Sequence, residues 1–237
     1  MSVAAQLPPS GLIFDLDGTL VDSLPGMLAA TADALGEHGL PVPAESWLRA
    51  NVGDSTRDLV RNAVAGAADV DAVHGAFRRH YRARLFERAT LVPGVAELLD
   101  ALTAAGLRLA ILSNKDQDLV DRVVVRLLAR WPWRAIVGAG PGRPRKPDPA
   151  ASWAVAALLD LAPERCALIG DARPDISAGL RAGMVSVGVS WGFHTPAQLR
   201  EAGATTIIDT PTQLPAALGL RLQPPAVGPG ARLSSHD

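Results

Sequence analysis

Apolar residues fall along this chain in two alternating textures: short unbroken runs, and longer stretches with helical spacing. Residues 11 to 17 open with Leu12, Ile13 and Phe14 in a row, which predicts a buried strand. From Pro25 to about Arg88 the spacing turns helical, rich in alanine, leucine and arginine, with breaks at "GLPVPAES" and "VGDST". "PGVAELLDALTAAG" sets Val95, Leu98, Leu99 and Leu102 on one helical face, with Pro93 before it and Gly106 as a stop. "LRLAILSN" predicts a second buried strand, and residues 116 to 130 a helix through Leu119, Val120, Val123, Val124, Leu127 and Leu128. The strand "RAIVGA", the loop "GPGRPRKPDP" and a helix to about Asp160 follow. The strand "CALIGD" then leads to a helix from about Pro174 to Ala182, the strand "VSVGVSW", a short helix, "TTIID" and a last helix near Pro211 to Leu218.

Short apolar strands alternating with amphipathic helices mean a mainly parallel sheet covered on both faces. The predicted class is α/β, a Rossmann-like three-layer core made of residues 1–22 and 91–218, with an all-helical domain, 23–90, inserted after the first strand. Residues 219–237 end in "QPPAVGPGARLSSHD", a Pro/Gly-rich polar composition that predicts a disordered tail. Sheets of this kind bind ligands at the carboxyl ends of their strands, near the switch in strand order.

Composition narrows the field. The formal net charge is −1 over 237 residues, which offers no electrostatic footprint for nucleic acid or an anionic membrane. No apolar run is long enough to span a bilayer, and the start "MSVAAQLPPS" lacks the charged and apolar regions of a secretory signal. A single cysteine, Cys166, excludes an internal disulfide framework, so the cytoplasm is the expected compartment. Of 23 basic residues only Lys115 and Lys146 are lysines. Where lysine persists against such an arginine bias, a compact ammonium is a candidate requirement.

Polar residues collect where the strands run out. The first strand ends in Asp15 and Asp17, the second in Ser113 and Asn114, and the loop after the third carries Lys146. The fourth ends in Gly170 and Asp171, with Asp175 opening the next helix. In a parallel sheet these ends converge on one cleft. Two carboxylates at 4 Å repel by roughly 4 kcal/mol at an effective dielectric of 20, or about three pKa units. Either one group stays protonated or a divalent cation sits among them. The five histidines show no zinc spacing, and a hard oxygen-ligated ion such as Mg²⁺ suits carboxylates and carbonyls. Lys115, next to Asn114, is read as decorating a helix start and is not placed in the site.

With these residues in hand, the chain resembles the haloacid dehalogenase-like superfamily, the aspartate-nucleophile phosphatases, in its phosphoglycolate phosphatase-like branch. "DLDGTLVDS", "ILSN", "RKPDP" and "IGDARPDI" match the four motifs in order, and "VPGVAELLDAL" and "VSVGVSWGFH" resemble that branch as well. The likeness runs from about residue 11 to 210. It implies that Asp15 attacks phosphorus and becomes an aspartyl phosphate, while Asp17 acts as acid and then base and lends its backbone carbonyl to Mg²⁺. It further implies that Asp171 shares the ion with Asp15, and that Asp175 holds a metal-bound water or orients Lys146. Ser113, Asn114 and Lys146 would grip the phosphoryl oxygens. Residues 23–90 would be a helical cap that closes over the cleft, with Thr56 and Arg57 as its reaching residues and Arg49 and Arg61 as alternatives.

One departure is Ala172, where a serine or threonine often follows the fourth motif's aspartate; it puts a hydrogen bond beside the metal site in doubt. Asp17 argues against a dehalogenase, which needs no second acid there, and a cap without lysine excludes a Schiff-base phosphonate cleaver. A β-phosphoglucomutase-like phosphotransferase and a non-catalytic phosphate-ligand sensor stay open as alternatives. The expected partner is a small phosphorylated metabolite, with the protein a monomer or homodimer.

Overall fold

The structure is a computed structural model, and it describes residues 7–52, 55–87 and 89–222. The first strand, β1 (Gly11–Phe14), is buried along its whole length, as a strand covered on both faces must be. Its side chains alternate: Leu12 and Phe14 enter one apolar cluster and Ile13 another on the opposite face. Burying a side chain such as Phe14 contributes about 1.5–3 kcal/mol.

The chain then leaves the sheet. A short strand β2 (Val21–Asp22) leads into α1 (Leu24–Glu37), α2 (Glu45–Asn51), α3 (Thr56–Val64) and α4 (Val70–Arg84). β3 (Thr90–Leu91) returns antiparallel to β2, so this two-stranded ribbon forms the neck of the helical block. Within the block, α1 lies along α4, with α3 also packed on α4. Ser55 and Asp69 accept backbone N–H bonds at the starts of α3 and α4, which is why those helices begin there.

Back in the core come α5 (Val95–Ala104), β4 (Arg108–Asp116), α6 (Gln117–Val123), β5 (Trp133–Ala139) and α7 (Pro149–Leu158). They are followed by β6 (Cys166–Gly170), α8 (Arg173–Arg181), β7 (Val185–Val189), α9 (Pro196–Glu201), β8 (Thr206–Ile208) and α10 (Leu214–Ala217). Among the described residues the main sheet has the order β5-β4-β1-β6-β7-β8, with every pairing parallel. Residues of α7 and α8 cover one face through Ala151, Val155 and Ala178. On the other face Leu98, Leu119 and Leu214, from α5, α6 and α10, join a cluster that continues into the helical block through Leu35, Leu59 and Phe77. No helix among the described residues is long and apolar enough to cross a membrane.

Two local readings change. β4 does not stop at Asn114; a register irregularity between Leu112 and Asp116 carries it two residues further, so Lys115 belongs to a strand end and α6 starts only at Gln117. The helix expected over 116–130 is α6 followed by a π-helical turn, Val124–Leu128. At the other end of the chain, Gly219–Leu222 fold back, with the Leu220 N–H donating to Pro215 O at 2.8 Å and Leu220 and Leu222 against the core. The remainder of the expected tail, 223–237, lies outside the described residues.

Candidate active site

Strand order reverses between β1 and β6: from β1 the chain builds outward through β4 and β5, then crosses to β6 and builds the other way. The carboxyl ends of that pair form the crevice where such sheets bind ligands. Asp15 follows β1 and keeps the ladder going, its N–H donating to Ile169 O at 2.9 Å. Asp171 follows β6. A cavity of about 410 Å³ opens over these ends, lined by Asp15, Asp17, Ser113, Lys146, Asp171 and Asp175 from the core and by side chains of α1, α3 and α4.

Asp15, Asp171 and Asp175 are all buried and offer carboxylate oxygens within 4.8 Å of one another. Lys146 stands beside them, its Nζ 2.7 Å from Asp15 Oδ1 and 2.6 Å from Asp175 Oδ1. Asp175 accepts a second bond from the Ala172 N–H at 3.0 Å. Both its oxygens are thus committed to positioning, and the helix start is held although Ala172 brings no hydroxyl. Asp171 accepts from Thr19 Oγ1 at 2.8 Å and from the Phe193 N–H at 2.8 Å. Space around it is made by glycines: Gly18 sits at φ 82°, and a Cβ on Gly192 would overlap the Asp171 side chain.

Protein groups alone leave this cluster overcrowded with negative charge. Burial pushes Asp15 up to about 7, with Lys146 pulling down and Asp175 and Asp17 adding to the rise. Asp171 is raised well above the carboxylate range, first by burial and then by Asp15 and Asp175. Burial alone would lower Lys146, but Asp15 and Asp175 outweigh it and raise it. Three buried carboxylates facing one ammonium make a donor set that suits a hard divalent cation.

Ser113 is buried and lines the cavity; its oxygen accepts the Lys115 N–H at 3.3 Å, which leaves its proton to donate. The Asn114 amide donates to Lys146 O at 2.8 Å, tying the lysine loop to β4. Thr56 and Arg57, from the start of α3, line the same cavity. Thr56 Oγ1 lies 3.1 Å from His74 Nε2, and Arg57 Nη2 pairs with Asp71 at 2.6 Å. Arg49 and Arg61 bond Glu45 and Asp58 on their own helices. Gly53 and Asp54 of the same loop lie outside the described residues. Trp191 and Phe193 pack against the core; Phe193 also borders the cavity, and His194 Nδ1 accepts the Arg173 N–H at 3.0 Å.

Sequence reasoning passed over two residues. Lys115 is not helix decoration: its Nζ bonds both Asp17 oxygens, at 2.8 and 3.1 Å, and lies 2.8 Å from Tyr81 Oη. Burial would lower its pKa, but Asp17 and Tyr81 raise it overall. Tyr81, on α4, is pushed up to about 12 by burial and by the Asp17 charge against the pull of Lys115. The retention of only two lysines was the available signal, and both meet aspartates of the first motif.

Comparison with known proteins agrees with this geometry. Residues 12–189 match the family model for haloacid dehalogenase-like hydrolases. The chain is 33% identical over 213 residues to the phosphoglycolate phosphatase of Pseudomonas syringae pv. syringae, covering 85% of this chain and 76% of that protein. It is 31% identical over 233 residues to the phosphoglycolate phosphatase of Salmonella choleraesuis, covering 89% and 92%. A crystal structure from Lactobacillus delbrueckii subsp. bulgaricus, provisionally described as a phosphoglycolate phosphatase, superposes with a TM-score of 0.83 at 25% identity, covering 90% of this chain and all of that one. A haloacid dehalogenase-like hydrolase from Streptococcus pneumoniae gives 0.78 at 26% identity, covering 88% and 97%. The chain belongs to the haloacid dehalogenase-like hydrolases, as a phosphatase of the phosphoglycolate phosphatase-like kind.

Proposed function

We propose that the chain is a Mg²⁺-dependent phosphomonoesterase that works through an aspartyl phosphate and acts on a small organic phosphate. The observation that carries this reading is the trio Asp15, Asp171 and Asp175, buried and mutually within 4.8 Å, beside Lys146. Asp15, Asp171 and the backbone carbonyl of Asp17 would hold the ion, while Asp175 keeps Lys146 in place. Bound there, Mg²⁺ would offset the charge that carboxylates and phosphoryl oxygens bring together.

An Asp15 oxygen attacks phosphorus, and the bond from phosphorus to the leaving oxygen breaks. The Asp17 carboxyl delivers its proton to that oxygen, then as a carboxylate takes one from the water that cleaves the acyl phosphate. This releases inorganic phosphate and restores Asp15. Lys146 lets one anion approach another, and the Ser113 hydroxyl donates to a phosphoryl oxygen. The helical block, 23–90, acts as a cap that excludes water and bounds the leaving group, with Thr56 and Arg57 on its inner wall.

A cavity of about 410 Å³ suits a small metabolite. The curated relatives' name makes 2-phosphoglycolate the first compound to assay, within a panel of sugar phosphates and nucleotides compared by kcat/KM. Turnover is expected to vanish with EDTA, to return with Mg²⁺, and to fall at least about a thousandfold in Asp15→Asn. Full metal-dependent turnover in that variant would sink the mechanism.

A further inference from the structure

The helical block touches the motif machinery at the Asp17 carboxylate, through Lys115. Lys115 Nζ holds both oxygens of that carboxylate, and the pair is nearly sealed, with side chains 5% and 11% exposed. On its other side the ammonium meets Tyr81 Oη at 2.8 Å and lies 4.8 Å from the Tyr81 ring centre. Tyr81 is itself stacked on Phe77, with ring centres 5.5 Å apart.

This contact is the buried middle of a longer seam. Arg78, Tyr81 and Arg82 share one face of α4, spaced three and four residues apart. Arg78 bonds Asp116 and Arg82 bonds Asp118, the residues on either side of Gln117, where α6 starts. The two outer pairs are exposed and contribute little to stability. The central one is buried and joins three groups.

We infer that Lys115 and Tyr81 are positioning residues for Asp17, the ammonium fixing the carboxyl group and the tyrosine hydroxyl fixing the ammonium. This rests on the phosphatase reading above. For the acid step one Asp17 oxygen keeps its bond from Lys115, while the other gives its bond up and carries the O–H toward the leaving oxygen. As that proton departs and the P–O bond breaks, Lys115 stabilises the carboxylate left behind. Tyr81 keeps the ammonium from swinging into solvent.

An acid matters most when the leaving group is poor. The test therefore compares an alkyl phosphate, glycerol 2-phosphate, with an activated aryl ester, p-nitrophenyl phosphate, whose phenolate leaves without a proton. General acid help is worth about a hundredfold or more. Lys115→Met is expected to lower the ratio of alkyl to aryl kcat/KM about a hundredfold, and Tyr81→Phe about tenfold, with Lys115→Arg in between. Circular dichroism and urea midpoints identify any variant that fails to fold, and Tyr81→Phe, which removes one oxygen, keeps the ratio measurable.

Equal loss on both esters, or none, overturns the inference. So does a loss confined to carboxylate-bearing 2-phosphoglycolate, which would make Lys115 a ligand of the substrate. Failure of the underlying reading looks different: the wild-type chain would then hydrolyse neither ester with Mg²⁺ present.

Discussion

The two lysines of this chain line one cavity and are held in different ways. Lys146 is gripped by Asp15 and Asp175, both supplied by the parallel core. Lys115 is gripped by Asp17 from the core and by Tyr81 from the helical block. The first arrangement draws on core residues alone. The second exists only when the two parts of the chain meet. The contrast teaches that one ammonium is placed by the core alone, whereas the other is placed where the core and the helical block touch.

The comparison can be broken most forcefully at Lys146. Lys146→Met leaves Asp15 and Asp175 facing each other without an ammonium, and kcat/KM is expected to fall about a thousandfold on alkyl and aryl esters alike. An uneven loss would erase the distinction between the two lysines. A second probe uses pH and stability in chain treated with EDTA. Asp15 sits near 7 in the folded protein against 3.8 for an unperturbed carboxyl, so between about pH 4 and 7 the native state holds protons the unfolded state has shed. The Asp15 contribution to stability therefore falls as pH rises through that window, by an amount on the order of a few kcal/mol. It is read as the difference from Asp15→Asn, because His74, whose pKa burial lowers, contributes with the opposite sign. Urea midpoints of both chains at pH 5 and pH 8 give the sign, and saturating Mg²⁺ is expected to flatten the slope. A midpoint that rises relative to Asp15→Asn at pH 8 without metal would contradict the crowding of the carboxylates. The mildest effect belongs to the helical block. Arg57 is half-exposed and paired with Asp71, so Arg57→Ala is expected to raise KM less than about tenfold with kcat nearly unchanged. A drop in kcat instead would place Arg57 in the reacting machinery.

Much of this molecule is legible in its residue pattern, for a reason particular to parallel sheets. β1 and β6 are buried on both faces, so they read as unbroken apolar runs, and the first polar residue after each run marks the strand's carboxyl end. Asp15 and Asp171 are found that way. Lys115 is not, because β4 continues past its apolar run through an irregular register, and a polar tail on a strand looks the same in sequence as the start of a helix. Tyr81 is hidden differently. In α4 it reads as one more apolar position, and only the packing of α4 on the β4 end reveals that its hydroxyl has a partner. Asn114 lies where the motif puts it, but its bond to Lys146 O depends on how a loop folds back, which spacing does not encode.

The scarcity of lysine has a practical side. Both ε-amines are almost wholly enclosed, 5% and 2% exposed, while the charge on the outside is carried by guanidinium. Acylating reagents and lysine-modifying enzymes thus find these two amines shielded. Any chemistry that does mark residue 115 reports that its contact with Asp17 and Tyr81 has broken, which turns an ordinary labelling reaction into a gauge of that seam.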